Sequence, residues 1–593
     1  QFTRNADKAK TSDMVLEAWI NALLSGPRTH VVNALSNTIN SFWIPLENTV
    51  AAGFGAFRRN DKVYFGEGFG RLFGMAQGAK DGLALAVRSF RTEVPSSPGM
   101  KIEARRYQSI PSVVLREGRE NLKVGGVPVP LTGELVIGGR QLRLPGRALM
   151  ASDEFFKSVN YRSELWALAI RTGKDKGLSG DALATHIRQF VDSPPENYAR
   201  KAHDAAAYAT FTNPLGSSGR AVQRIVSNHP TARVIAPFIR TPTNIFKFAT
   251  ERTPLGLLMR GVRENLKGVN GRAARDTQMA RIALGSTIMA GIATLTFEGH
   301  VTGASTLDSA ERATLRTTGW APYSVKIGEN YYSYKRSEPL GMLLGMAADF
   351  AEISKYIAAG ERDRLATMIV AALSENVMSD TWVRGPSELL EAVKEPERHG
   401  KWFIQKLAGT VIPTGVSHVA QEMDPVWRDV QTALDAIKAR IPGKSRELPP
   451  VRNIWGEVEV SGGGVGPDML SPIFTSREQN NPVADEAARL KMGIRKPPRK
   501  IQGIDLTPEQ YSEYSRVAGQ GAWDMLNGII SSPQWRDFPD GVKEDIFNRA
   551  IQFNRELAGM KVAPEAYTEA AMAKIVRDLQ MFGLETGFLG VER

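Results

Sequence analysis

Residues 14–57, MVLEAWINALLSGPRTHVVNALSNTINSFWIPLENTVAAGFGAF, decide how this chain is read. Leu16, Trp19, Ile20, Leu23 and Leu24 recur at helical spacing, the period breaks at Gly26-Pro27, and Val31, Val32, Leu35 and Ile39 to Trp43 restart it before Pro45. This is a helix, a turn and a second helix. Across all 44 residues only Glu17, Arg28 and Glu47 are charged. So apolar a hairpin is either a tightly packed soluble pair or a membrane-active element.

The glycines that follow, Gly66, Gly68, Gly70, Gly74, Gly78 and Gly82, stand among Phe69, Leu72, Phe73 and Leu83. Small residues at this spacing let two helices approach closely, at a cost in helix propensity. A second uncharged run, Ile282 to Phe297, follows Arg272, Arg275 and Arg281. As a helix it extends roughly 24 Å, slightly short of a ~30 Å hydrocarbon core. It reads either as a buried core helix or as a lipid-contacting one whose basic flank sits at an anionic surface. Trp19, Leu23, Trp43, Ile282, Ile288, Ile292 and Phe297 are the membrane or packing candidates.

Charge is unevenly distributed. Residues 1–300 hold 40 Lys/Arg against 24 Asp/Glu, whereas residues 301–593 hold 35 against 39, within a net charge of +12 and a pI near 9.6. Between Lys201 and Arg281, 13 basic residues face four acids, and Pro214, Pro230, Pro237, Pro242 and Pro254 chop residues 212–256 into short pieces. Arg220, Arg224, Arg233, Arg240, Lys247, Arg252, Arg260, Arg263 and Lys267, with Phe238, Phe246 and Phe248 between them, are the nucleic-acid-facing candidates. With no base-reading motif beside them, the expected mode is sequence-independent, salt-sensitive contact with duplex phosphates. The bland alternative is a solvated surface of scattered arginines.

Helical periodicity also marks Arg147–Thr172, Gly180–Val191 and Asn197–Phe211. Two hairpins are expected: Leu135–Ile137 with Arg140–Leu144 across Gly138-Gly139, and Tyr323–Lys335 across Gly328-Glu329-Asn330. Residues 448–472, rich in Pro and containing Gly462-Gly463-Gly464, read as an extended arm, since no Gly-Lys-Ser/Thr follows the glycines. Thr507-Pro508-Glu509-Gln510 is a capping box that starts a C-terminal helical domain, and residues 501–593 carry nine basic and fourteen acidic residues. The fold class expected is mainly α: an elongated multidomain helical protein with two small β-hairpins. Its expected divisions are 1–123, a Gly-rich helical hairpin region; 124–200, a small hairpin plus helices; 201–300, a basic segment with an apolar run; 301–447, a hairpin plus helices; 448–505, a linker arm; and 506–593, a helical domain.

Catalytic signatures are missing. There are no cysteines, so disulfides, thiolate metal sites and cysteine nucleophiles are excluded. His30, His186, His203, His229, His300, His399 and His418 form no i, i+4 pair and no His-Glu-x-x-His. No Gly-x-Ser-x-Gly elbow, Walker loop or dinucleotide fingerprint is present; Gly66-Glu67-Gly68-Phe69-Gly70 lacks the strand and the final spacing. Carboxylates such as Glu164 and Glu375 sit in ordinary amphipathic contexts. The expectation is no catalytic residue, no metal and no cofactor within these residues. Because the first residue is Gln1 and no leader pattern opens the chain, the sequence is expected to be a portion of a longer or processed polypeptide.

Several phrases together carry a resemblance: Met14–Asn37 (MVLEAWINALLSGPRTHVVNALSN), Leu144–Thr172 (LPGRALMASDEFFKSVNYRSELWALAIRT), Gly319–Leu344 (GWAPYSVKIGENYYSYKRSEPLGMLL), Ala439–Gly456 (ARIPGKSRELPPVRNIWG) and Leu506–Tyr514 (LTPEQYSEY). The chain resembles the carboxy-terminal portion of the large internal virion, DNA-ejection or polyvalent, proteins of tailed bacteriophages. That resemblance implies a protein stored inside the capsid and delivered through portal and tail into the host envelope or periplasm, where it joins a DNA conduit. The implied partners are double-stranded DNA bound non-specifically, copies of itself, the portal, tail and other ejection proteins, and the host membrane. Two other readings stand beside it: an injected effector or enzyme fragment, either antirestriction or cell-wall hydrolase, and a scaffold of the capsid's inner core at the portal.

Overall fold

In a computed structural model, residues 11–96, 110, 112–116, 122–124, 127–129, 134–216, 220, 238–305, 308–354, 405 and 407–568 are described. The first two helices are α1 (Thr11–Leu24) and α2 (Pro27–Phe54), separated by Ser25-Gly26, with Pro27 in the first helical turn, where its missing N–H costs nothing. α2 does not stop at Pro45, as the sequence reading had it. It runs through the proline to Phe54. One i→i−4 bond is given up there, while buried Glu47, Asn48, Ala51 and Ala52 pin the following turns.

α3 (Gly66–Thr92) holds the whole glycine series in one helix. Four short strands follow, β1 (Ser112–Arg116), β2 (Leu122–Val124), β3 (Val127–Val129) and β4 (Glu134–Gly138), paired antiparallel as β1–β4 and β2–β3. The expected turn at Gly138-Gly139 is therefore incorrect. β4 pairs back to β1, and residues 139–142 begin a short helix, α4 (Gly139–Leu142). Gly138 lies at φ +114°, which ends the strand, and a Cβ on Gly139 would lie 2.1 Å from the Ile110 carbonyl oxygen. The pair of glycines serves a close backbone approach, not a hairpin turn.

α5 (Leu144–Asp175) is the spine of the N-terminal half, about 48 Å long at 1.5 Å per residue. α3 lies along one side of it. α6 (Gly180–Asp192) and α7 (Glu196–Ala209) pack on another, closing a core of Leu165, Leu168, Ala169, Phe190, Val191 and Ala202. Next come α8 (Arg240–Thr250), a 3-10 turn at Pro254–Leu258, α9 (Arg260–Leu266) and α10 (Arg272–Phe297), which lies against α2.

α11 (Ser309–Arg316) precedes the expected hairpin, β5 (Ser324–Ile327) with β6 (Asn330–Ser333), and α12 (Leu340–Ser354) packs against α10. α13 (Thr414–Met423) and α14 (Ala433–Lys438) lead to residues 448–505. That stretch is extended over much of its length, but it is not a free linker. It donates β7 (Thr475–Arg477) to the hairpin as a third strand and forms α15 (Pro482–Arg489), and its Trp455 is buried with Leu526 and Phe547.

A small ladder, β8 (Lys500–Ile501) with β9 (Ile504–Asp505), precedes the antiparallel pair α16 (Pro508–Ile530) and α17 (Asp540–Val562). The capping box forms as read: Thr507 Oγ1 accepts from the Gln510 N–H at 3.2 Å, and Gln510 Oε1 accepts from the Thr507 N–H at 3.0 Å. Among the described residues the protein is mainly helical, with small antiparallel β elements.

Candidate functional site: an inside-out helical layer

Helices in water turn apolar residues inward. α2 and α3 do the reverse. The buried residues of α2 are Arg28, Ser36, Asn37, Asn40, Ser41, Pro45, Glu47, Asn48, Ala51 and Ala52; those of α3 are Glu67, Gly68, Gly70, Arg71, Gly74, Met75, Gly78, Gly82 and Ser89. Only Met75 is a large apolar side chain. The opposite faces carry Phe42, Leu46 and Phe54 on α2, and Phe69 (77% exposed), Leu72, Leu83 (61%) and Val87 on α3. Phe65, just before α3, extends its stripe, and Phe57 in the connecting loop is fully exposed.

Small residues let the polar side close. A Cβ on Gly74 would sit 2.6 Å from the Arg162 carbonyl oxygen, one on Gly78 2.7 Å from the Ser158 carbonyl oxygen, and one on Gly82 2.9 Å from the Phe155 carbonyl oxygen. The α3 backbone therefore lies directly on α5.

Charges fill the interior and most are matched by opposite charges; Arg28 instead donates to the Asp468 carbonyl oxygen. Glu47 (1% exposed) receives a two-pronged pair from Arg252 (1% exposed): Nε to Oε1 at 2.6 Å and the terminal nitrogen to Oε2 at 2.9 Å. Arg281 reaches the same carboxylate at 3.3 Å and Glu251 at 3.8 Å. The Tyr208 hydroxyl donates to Glu251 at 2.6 Å and accepts from Arg252 at 3.1 Å. Burial drives the Tyr208 hydroxyl above its ordinary range. For Arg281, burial favours the neutral form, but Tyr208, Glu47 and Glu251 outweigh it and the guanidinium is held charged.

A second set lies beneath α3. Arg171 spans both Glu67 oxygens at 3.0 and 2.6 Å, and Arg71 pairs with Glu164 at 2.6 Å. The Asn48 amide, with its oxygen toward Arg71, accepts from that residue at 2.8 and 3.0 Å and donates to Glu67 at 3.1 Å. Burial raises the Glu164 carboxyl, but Arg71, Arg171 and Arg281 overcome it and hold it below the ordinary range. Glu164 is thus a structural ion, while Glu375 lies outside the described residues. A third set joins Arg143 to Glu17 at 2.9 Å and to Glu93 at 2.7 Å.

The nucleic-acid candidates separate by exposure and pairing. Arg252 faces no solvent, because the one acid in the second half of α2 claims it, and it also stacks on Phe248. Phe248 is buried and Phe238 and Phe246 pack against core clusters, so none of the three is a stacking platform for bases. Lys247 is exposed and pairs with Glu251 at 3.6 Å. Arg240 is half-buried and Arg220 exposed. Arg260, exposed, pairs with Glu264 at 2.7 Å. Arg263 caps the carbonyls of Leu257 and Leu258, and Lys267 is exposed. Arg224 and Arg233 lie outside the described residues. Of the set, Lys247, Arg260, Arg263 and Lys267 are the described members on exposed parts of α8, α9 and the turn after it, together with Arg220.

The packing candidates separate too. Trp19 is part-buried, its indole donating to Thr410 Oγ1 at 3.1 Å, and Leu23 beside it is half-buried. Trp43 donates to Glu47, Ile288 and Ile292 pack against buried clusters, Ile282 is half-buried and Phe297 is exposed. α10 is long and apolar enough to cross a membrane, and only 17% of its apolar window is buried, less than a core helix requires. Arg281 does not belong to its solvent-facing basic flank, being consumed by Glu47 and Glu251, whereas Arg272 and Arg275 are exposed. Sequence reading missed the polar interior itself, although the sparse charges Glu17, Arg28 and Glu47 were its signal: an isolated charge in an apolar helix must find a partner or stay wet.

Among the described residues no three His, Asp or Glu gather as a metal site. No family model, curated protein or solved structure matches the chain.

Proposed function

We propose that this chain is a structural component of a DNA-passing conduit in a bacterial envelope, an internal virion protein of the tailed-phage ejection kind, acting without catalysis within these residues. One observation carries the reading: α2 and α3 bury asparagine, serine, glycine and paired charge while presenting phenylalanine and leucine outward. Such a surface is stable in lipid or against other copies of itself, and costly in water. At 26 residues α10 is about 39 Å long, enough for a ~30 Å hydrocarbon core, and among the described helices it alone is also apolar enough to cross one; α2 and α3 match it in length and offer an apolar face only.

The basic excess of residues 1–300 supports passage of, or contact with, non-specifically held duplex DNA. Storage in the capsid followed by delivery with portal, tail and other ejection proteins accords with a chain that has no disulfide to resist threading.

The test is the mass of the purified chain by light scattering, with and without anionic vesicles and duplex DNA. A closed oligomer that forms on lipid and shifts with DNA is expected. A monomer indifferent to both overturns the reading in favour of an injected effector, and a ring that forms without lipid and stays in solution favours the capsid-core scaffold.

A further inference from the structure

One end of the inside-out layer has its own chemistry. Three loops meet there, residues 55–65 between α2 and α3, 173–177 at the end of α5, and 267–276 leading into α10. They are tied by direct bonds: the Arg272 N–H donates to Asp61 at 3.1 Å, the Asp61 N–H donates to Asp175 at 3.3 Å, the Tyr64 hydroxyl donates to Asp175 at 2.6 Å, and Arg58 pairs with Asp276.

Together these segments carry eight basic residues and three acids. All three acids are occupied by the bonds just named. Arg59, Lys174, Lys176, Lys267, Arg272 and Arg275 are exposed or nearly so and make no ion pair among the described residues. Beside them stand fully exposed Phe57, Phe65 (60%) and Val269 (69%). From Phe65 the apolar stripe continues along α3 through Phe69, Leu72 and Leu83 to Val87, about 33 Å at helical rise.

We infer that this end is a docking face for an anionic phospholipid surface, so that the chain meets a bilayer with these loops at the headgroups and the α3 stripe leading toward the acyl chains. The inference rests on the lipid-facing reading of the layer and adds which lipid and which end. Unpaired cations take up headgroup phosphates, and aromatic side chains at the same level enter the interface. Nucleic acid would satisfy the cations equally well. It would leave the 33 Å apolar stripe that begins at the same rim in water, which is why lipid is the better fit.

The experiment is flotation of the full chain with neutral phosphatidylcholine vesicles and with vesicles containing phosphatidylglycerol. It compares the natural sequence, an Arg59→Glu/Lys174→Glu/Lys176→Glu variant and a Phe57→Ser variant, with melting curves to show that each is folded. The expected result is tighter binding to the anionic vesicles, weakened on the order of a hundredfold by the triple charge reversal and lowered in high salt. The Phe57→Ser change should weaken it less.

Equal binding to both vesicle types, or an unaffected triple variant, overturns the docking face while leaving the lipid-facing layer standing. A triple variant that keeps its vesicle binding but loses duplex DNA also overturns it, reassigning the rim to nucleic acid. Failure of the natural chain to bind either vesicle overturns the docking face and the lipid-facing reading together.

Discussion

Glu47 holds two arginines, and what happens on its removal depends on what is left behind. Glu47→Ala strands Arg252 at 1% exposure without its carboxylate, so a loss of about 3–5 kcal/mol is expected in denaturant unfolding. Replacing both partners, Glu47→Leu with Arg252→Met, removes the fully buried couple and leaves Arg281 to Glu251. That double variant is expected to recover most of the loss; if it is as unstable as Glu47→Ala alone, the pair is not acting as a buried ion couple. Asn37 poses the opposite case. It is fully buried with neither side-chain atom bonded, so the similarly sized Asn37→Leu should stabilise the free chain by about 1 kcal/mol. Two histidines flank the Gly26-Pro27 turn, His30 bonding the Leu24 carbonyl and His418 packing on Gly26. Burial lowers both below 6.5, opposed at His30 by the Leu24 carbonyl and reinforced at His418 by Arg28 and Arg336. The unfolded chain then binds more protons than the folded one as pH drops past 6.5, so stability falls on acidification. Melting temperature should decrease from pH 7.5 to 5.5, and by less in His418→Gln.

The α3–α5 contact tests the same logic at the level of a helix. Gly74 and Gly78 leave no room for a side chain against the α5 backbone, whereas a Cβ on Gly66 meets nothing within 4 Å. Gly74→Leu or Gly78→Leu should therefore prise the helices apart, at a cost of several kcal/mol or loss of folding, while Gly66→Ala is tolerated. Equal effects of all three would mean that propensity, not close approach, sets the spacing. How much was legible beforehand follows from the type of signal. Apolar periodicity and capping located α1, α5, α6, α7 and the start of α16 to within a few residues, and Tyr323–Lys335 announced β5–β6, because these signals are local. The first hairpin was misplaced because β4 pairs with a strand about 20 residues upstream, and a Gly-Gly pair looks the same in a turn and in a close approach. Pro45 misled for a related reason: a proline lowers helix stability locally, but tertiary burial of the next turn decides whether the helix continues. The glycine spacing was readable as a close approach, and the exposure of the phenylalanines opposite it and the burial of asparagine on α2 were not, since they invert the usual assignment.

For the whole molecule, the distribution of charge matters more than its sum. Of the basic residues between Lys201 and Arg281, Arg252 and Arg281 are spent inside the protein on Glu47 and Glu251 and are not available to a phosphate. Arg260, Arg263 and Lys267, on α9 and the turn after it, remain at the surface; Arg260, itself exposed, pairs with half-buried Glu264, an i, i+4 pair worth little in water. The acidic excess of residues 501–593 makes that end a poor surface for any polyanion. If the surface set touches duplex backbone, each contact releases condensed counterions, and the slope of log affinity against log salt falls by roughly 0.9 for every phosphate contact removed. Arg260→Gln/Arg263→Gln/Lys267→Gln should then flatten that slope by up to about 2.7, with folding intact. Arg252→Gln should lower stability and leave the slope of the surviving folded protein unchanged. Fluorescence titrations of a labelled duplex at several salt concentrations separate the two. A triple variant with the parental slope would remove α9 from the DNA path and shift attention to the exposed cations elsewhere in residues 1–300.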